Sequence, residues 1–525
     1  MLSELSSGGP DVIVEEPWDR QSSPHEVLPT DEQIQRLLSR LAKSIAQMDV
    51  THSEVLRTCA AYQAFQHCAV ALRIGSEGDF YHKSRKSAKI STFWSHSWHG
   101  GHRTKILTLI TFYNGTAAVS LGLLTGVLMM LLFIFKQLPG FHRGFLLDGV
   151  EVSWSTWSLC SGVLRTCLVA MFWQPQTQVF FDRICISQAD NELKAQAIFS
   201  LAGLLKSSDQ ILILWDPTWM QRLWCLFELA AFLQSRKTQK QALIVRPIFL
   251  GPVSITMSTL AMPGTMIPMQ SQIFIPIGSV LLLGMIIAYP AVSTVRNYFR
   301  DLDVMKQQLL SISFDATKSA CCDQNHVDPR TGVTLLCDRK IVKECAIIWF
   351  GNQQAFEDAV RSEVLKILEH DLSEKVFNSA WCLGVTSPVI LIFLDLAASF
   401  SSVRLTQENR DLWRNPSASQ ILDGLVFWLL ALPASKDFLI CFCRLLRRKA
   451  THFWLEALKN TLTLLLIACP LTLLLLVYLL ALFFFGSYYG GMIKTAVFAA
   501  CALIISVCYC LLAAILKALL KRPAW

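Results

Sequence analysis

Asp209-Gln-Ile-Leu-Ile-Leu-Trp-Asp216, then Pro-Thr-Trp-Met-Gln221, then Arg222-Leu-Trp-Cys-Leu-Phe-Glu-Leu-Ala-Ala-Phe-Leu233, is the stretch whose reading decides the fold. Its first part is a continuous apolar run of strand length, the kind a parallel sheet buries on both faces. Pro217 and its polar neighbours make a loop, and the third part reads as a helix. Trp224 and Glu228 are four apart, so a helix puts them on one face, one turn above the other. Ligands of open α/β sheets bind outside the carboxyl ends of the strands. A carboxylate held over an indole at that edge is either a reaction site or a packing feature.

Outward from this stretch the soluble pattern continues. Gln176–Phe181 reads as a strand, Asp182–Asp190 as a polar turn, Asn191–Ser207 as a helix and Gln241–Arg246 as a strand stopped by Pro247. Further back, Lys89–Trp98 is a strand that Gly100 and Gly101 end, with a helix starting near Arg103. Strands alternating with helices predict a parallel sheet covered by helices. Ser95, Asp182 and Trp215 then fall at the strand ends.

The rest is apolar. Of 525 residues 53% are hydrophobic and 16% charged, and mean hydropathy is +0.42. Soluble domains carry roughly 25% charge, so the composition is that of a membrane protein, with the lipid bilayer as partner. The net charge of +8 is modest and no basic block alternates with aromatics, which excludes nucleic acid as an expected partner. Residues 1–30 read as a disordered tail rich in Pro and Ser, and no apolar signal region opens the chain. From Asp31, Ile34, Leu37, Leu38, Leu41 and Ile45 repeat at helical spacing, and a second helix is expected over Val55–Leu72. We assign 31–88 to a helical cytosolic segment.

Ala117–Phe135 is 19 uncharged residues, about bilayer length. With Trp154–Trp173 it predicts a membrane hairpin, about 117–173, inserted into the α/β domain of 89–250. A second hairpin or single span is expected within 252–292 (Ser254–Pro268 and Ile273–Ala291). Residues 296–375, ending in a helix over Gln354–Leu372, form a cytosolic segment. Phe377–Phe400, Ile421–Cys443, Thr461–Phe485 and Ile493–Leu516 supply four more spans within 377–516. The basic clusters Arg444–Lys449 and Lys517–Arg522 put both termini inside, for about eight spans.

Seventeen cysteines form no secreted disulfide framework. Cys321, Cys322, His326, Cys337 and Cys345 share one soluble stretch. Their spacing fits no paired Cys-x-x-Cys scheme, so they read as reduced thiols and no metal is assigned. His96, His99 and His102 read as solvated side chains.

Phe93-Trp-Ser-His-Ser97, Val179-Phe-Phe-Asp182 and above all Trp224-Cys-Leu-Phe-Glu-Leu229 resemble boxes of the TIR domain: its opening strand, its second strand, and its Trp-Cys-x-x-Glu-Leu helix. The likeness covers roughly 89–250 without the insertion. Similar boxes (Ser95-His-Ser-Trp98, Cys185-Ile-Ser-Gln188, Arg222-Leu-Trp-Cys225) occur in multi-pass membrane proteins of protists, a kinship that implies no activity. The TIR resemblance implies a flavodoxin-like parallel sheet, self-association into homo-oligomers, and a role in signalling or protein assembly. For the family's enzymatic branch it implies cleavage of NAD⁺ as substrate, with Glu228 catalytic and no further cofactor. Ser95, Asp182, Trp215 and Trp224 are the candidate substrate-binding residues by position. A carboxylate stabilises the oxocarbenium-like state of such cleavage electrostatically.

Three features depart from the family. Two apolar stretches interrupt the domain, His99-Gly-Gly-His102 replaces the usual acidic residues, and Arg183–Asp190 lacks glycine. A channel or transporter with a regulatory TIR-like domain is the third reading, because Asp395, Asp423, Lys436 and Asp437 stand in or near apolar stretches.

Overall fold

The computed structural model describes residues 31–521 except 74–77, 99, 148–149, 236–242, 261–276, 312, 314–316, 328–335, 360, 363–371, 373–375, 402–415 and 486–490. Its strands are β1 (Arg57–Ala60), β2 (Arg85–Lys86), β3 (Ile90–His96), β4 (Phe141–Leu147), β5 (Val150–Trp154), β6 (Gln178–Phe180), β7 (Ser208–Trp215) and β8 (Leu243–Pro247). The helices that matter most are α1 (Asp31–Ala46), α2 (His102–Ile134), α3 (Trp157–Phe172), α4 (Leu223–Ser235) and α5 (Asp338–Phe350). The chain divides into two units. One comprises 1–109, 174–250 and 303–376; the other comprises 110–173, 251–302 and 377–525.

The first unit is built on a six-stranded sheet of order β2-β1-β6-β3-β7-β8. From β6 to β8 all pairs are parallel. Numbered by their own sequence, these four strands run 2-1-3-4, the doubly wound order of flavodoxin-like sheets. The central strands β3 and β7 are buried along most of their length, and the apolar run Ile211–Trp215 lies wholly inside, as its composition predicts. Phe93 and Phe180 stack across β3 and β6 at 4.9 Å. Pro247 ends the edge strand β8, where a missing donor costs least.

The sheet is mixed, which corrects the expected all-parallel sheet. β1 runs antiparallel to both β6 and β2. The helix expected over Val55–Leu72 does not form. Cys59 and Ala60 pair with Val179 and Gln178 instead, and Thr58 Oγ1 donates to Gln178 Oε1 at 3.0 Å. Short helical turns follow, interrupted by the left-handed residues His67, Cys68 and Ala69. The helix expected over Asn191–Ser207 breaks at Ser200, whose buried hydroxyl meets Thr51 Oγ1 at 2.7 Å and accepts from Thr51 N. Asp190 caps its first half by accepting from Glu192 N and Leu193 N. Helix α5 packs against α1 and α4: Trp349 Nε1 donates to Ala46 O, and its ring lies 5.5 Å from Phe227.

Among the described residues the second unit is helical apart from the antiparallel pair β4–β5. Among the described residues three helices are long and apolar enough to cross a membrane: His102–Ile134, the helix through Ser417–Leu445, and Lys494–Leu516. Ser379–Val385 and Ser387–Ser401 meet at 52° and make a fourth if they are one span. The expected second arm of the first hairpin is the shorter helix α3, of 16 residues. Thr461–Phe485 lies within a helix Phe453–Phe485, and Ile273–Ala291 partly within a helix Ile277–Leu310. Ser254–Pro268 is helical to Leu260, and its remainder lies outside the described residues, as does most of Gln354–Leu372.

Helices α2 and α3 cross on small residues. Gly122 and Gly126 are four apart on α2, facing Ser158, Gly162 and Thr166 on α3. A Cβ at Gly122 would overlap Thr166 Oγ1 and stand 2.8 Å from Gly162 O; one at Gly162 would stand 3.0 Å from Gly122 O. This is the close backbone approach that small-xxx-small patterns permit.

Candidate functional site

The carboxyl ends of β3 and β7 meet where the strand order reverses, the usual ligand position of this architecture. β3 delivers Ser95, His96 and Ser97 there, and β7 delivers Trp215 and Asp216. The turn Trp219–Gln221 then leads into α4, which returns Glu228 to β3.

Glu228 is 6% exposed, and Ser95 Oγ donates to its Oε2 at 2.5 Å. The same hydroxyl accepts from Trp219 Nε1 at 3.1 Å. Strand, turn and helix are thus closed by one relay from indole to hydroxyl to carboxyl. Burial pushes the Glu228 carboxyl up to about 8; the Ser95 hydrogen bond pulls the other way, and nearby Asp182 pushes it further up. Near pH 7 the group is mostly neutral.

Of the residues singled out from sequence, the structure brings Ser95 and Glu228 into contact. Asp182 sits at the end of β6, holding Arg183 N at 2.7 Å and Trp98 Nε1 at 3.3 Å, and burial raises it to about 6. Trp215 lies inside the sheet, its carbonyl accepting from Ile248 N. Trp224 is directed elsewhere: its Nε1 donates to Asp338 Oδ2 at 3.0 Å, at the start of α5. The indole that serves Glu228 is Trp219, on the loop rather than on the helix face. His96 is buried beside Trp98 and Phe181, which pushes its imidazole down to about 3 and keeps it neutral.

Sequence reasoning missed a polar group beside this relay. Asp216 Oδ1 accepts from Thr218 N at 2.8 Å and from Thr218 Oγ1. Thr218 Oγ1 also meets Ser97 Oγ at 2.8 Å, and Lys105 Nζ donates to Ser97 O. Asp216 Oδ2 lies against Gly100, where a Cβ would collide with it. The signal was available: Asp216 follows the apolar run Ile211–Trp215, and Gly100 is the residue that lets that carboxylate approach.

A second cluster lies in the same unit. The ligand atoms of Cys321, Cys322, His326 and Cys337 all fall within 4.8 Å of one another. Cys345, grouped with them by sequence, is apart from them and donates to Ala42 O.

In the helical unit the ionisable residues have structural partners. Asp395 accepts from Ser155 Oγ, Ser158 N and Leu159 N, each at 2.8 Å, and so caps α3. Asp423 pairs with Lys494 at 2.5 Å. Lys436 donates to Phe377 O at 3.0 Å and pairs with Asp437 at 2.9 Å. Compared with known protein families, with curated proteins and with solved structures, the chain matches none.

Proposed function

We propose that this is a multi-pass membrane protein whose TIR-like α/β domain faces the cytosol and acts in signalling or protein assembly, without catalysis by Glu228. The observation that carries the proposal is the closed relay Trp219–Ser95–Glu228. A buried, neutral carboxyl cannot supply the negative charge that an oxocarbenium-like state needs. As a tie between β3 and α4 the same group is fully used. The 2-1-3-4 order of the parallel strands supports the TIR-like reading, and the basic flanks of the apolar helices support a cytosolic domain.

NAD⁺ cleavage is the second reading. What favours it is position: an acid whose ionisation is strongly shifted, at the carboxyl edge where the strand order reverses, is a common catalytic arrangement. The transport reading is weakened by the partners of Asp395, Asp423 and Lys436. The test of the assembly role is the mass of the full-length protein in nanodiscs, with and without chemical crosslinking of the α/β unit. Discrete oligomers are expected. A monomer at every concentration tried contradicts the proposal.

A further inference from the structure

We infer that Cys321, Cys322, His326 and Cys337 bind one zinc ion, which fastens the segment 317–326 to the start of α5. The spacing, Cys-Cys-x3-His-x10-Cys, contains no paired motif. The fold supplies what the spacing lacks.

The three distances from Cys322 match the edges of a zinc tetrahedron, and the remaining three lie within 4.8 Å. Zinc–sulfur bonds of about 2.3 Å and zinc–nitrogen bonds of about 2.0 Å give edges of about 3.8 Å between two sulfurs and about 3.5 Å between sulfur and nitrogen. Cys322 Sγ lies 3.9 Å from Cys321 Sγ, 3.9 Å from Cys337 Sγ and 3.6 Å from His326 Nε2. None of the sixteen described cysteines, these three included, is in a disulfide.

The backbone is shaped to bring the imidazole in. Cys321 and Cys322 lie on a single helical turn, Ala320–Asp323. Asn325 and His326 then both take left-handed conformations, with φ of 53° and 58°. That is uncommon for a histidine and folds the chain back on itself. Asn325 N donates to Cys322 O, and His326 N donates to Cys321 O at 2.8 Å. Cys337 is the cap residue of α5, where the positive helix end favours a thiolate. Ser319 Oγ stands 3.0 Å from Cys321 Sγ and supplies the outer hydrogen bond such ligands usually have.

Three thiols and an imidazole are the donor set of a closed structural zinc site; calcium and magnesium take oxygen donors instead. The consequence falls on α4. Lys318 N donates to Gln221 O at 2.7 Å and its carbonyl accepts from Leu223 N, at the entry to that helix. Asp338, next to Cys337, holds Trp224. Zinc would join these two supports of α4 into one.

The test is metal analysis of full-length protein purified in detergent under reducing conditions, with zinc supplied during expression. About one zinc per chain is expected, as for a closed four-ligand site, and it is lost in Cys322→Ser/Cys337→Ser. Because that variant can fail to fold, the wild type is also exchanged with Co²⁺. An intense thiolate-to-cobalt charge-transfer band with tetrahedral d–d absorption is expected. His326→Cys should keep the metal and strengthen that band in proportion to a fourth thiolate. Zinc-free wild type, zinc retained in the double serine variant, or a weak octahedral cobalt spectrum would each overturn the inference.

Discussion

Glu228 is a carboxyl whose proton is part of the fold. Its ordinary value is 4.5 and burial takes it to about 8. The unfolded chain therefore releases the proton first, and stability falls as pH rises from about 4.5 to about 8, by up to roughly 1.4 kcal/mol per unit. His96 has the opposite sign: its ordinary value is 6.5, it is held neutral to about 3, and stability is lost as pH falls through that window. Comparing thermal unfolding of the wild type with Glu228→Gln isolates the carboxyl. The wild type should lose stability relative to the glutamine variant from pH 5 to pH 8 and stop losing it above about 8. Equal pH profiles would mean that Glu228 is ionised in the fold. Ser95→Ala removes the hydroxyl shared by Glu228 and Trp219 and leaves two buried polar groups without it. A loss of about 1–3 kcal/mol is expected, read as a lowered melting midpoint. At this scale the sequence showed that Ser95 and Glu228 belong to one edge. It could not show that Trp219 rather than Trp224 serves them, because that depends on how the loop 217–222 folds.

Elements whose own pattern agrees with their neighbours were readable. β7 and α4 are apolar runs closed by Pro217, and each formed where its composition puts it. Val55–Leu72 was unreadable for the opposite reason: its alanines favour a helix, and only the partner strand β6, more than a hundred residues away, makes Arg57–Ala60 extended. The break at Ser200 likewise depends on Thr51. Close backbone packing gives two tests. Gly203, on the helix Leu201–Lys206, would bring a Cβ to 2.7 Å from the backbone carbon of Asp49 and 2.9 Å from Val50 N. Backbone cannot yield as a side-chain tip can, so Gly203→Ala should destabilise the α/β unit by about 1–3 kcal/mol in thermal unfolding. Gly122→Leu should separate α2 from α3 through its clash with Thr166 and Gly162, and speed proteolysis of the helical unit in detergent. Unchanged proteolysis would remove that crossing from the account.

At the scale of the whole molecule, one chain alternates between two kinds of interior. The 33 residues of α2 exceed by about 13 the ~20 that cross a bilayer, and its first turns belong to the α/β unit, where Thr108 Oγ1 holds Ile248 O at 2.6 Å. That a long apolar helix interrupts the α/β unit was legible from hydropathy alone. That residues 303–376 join this unit was not, because the contacts of Trp349 with Ala46 and Phe227 have no local signature. In the function proposed above, Glu228 closes this domain instead of reacting. The direct measurement is nicotinamide release from NAD⁺ by full-length protein in nanodiscs, with Glu228→Gln beside it. No release above the protein-free blank is expected from either protein. Release by the wild type that vanishes in a folded Glu228→Gln variant would contradict that role.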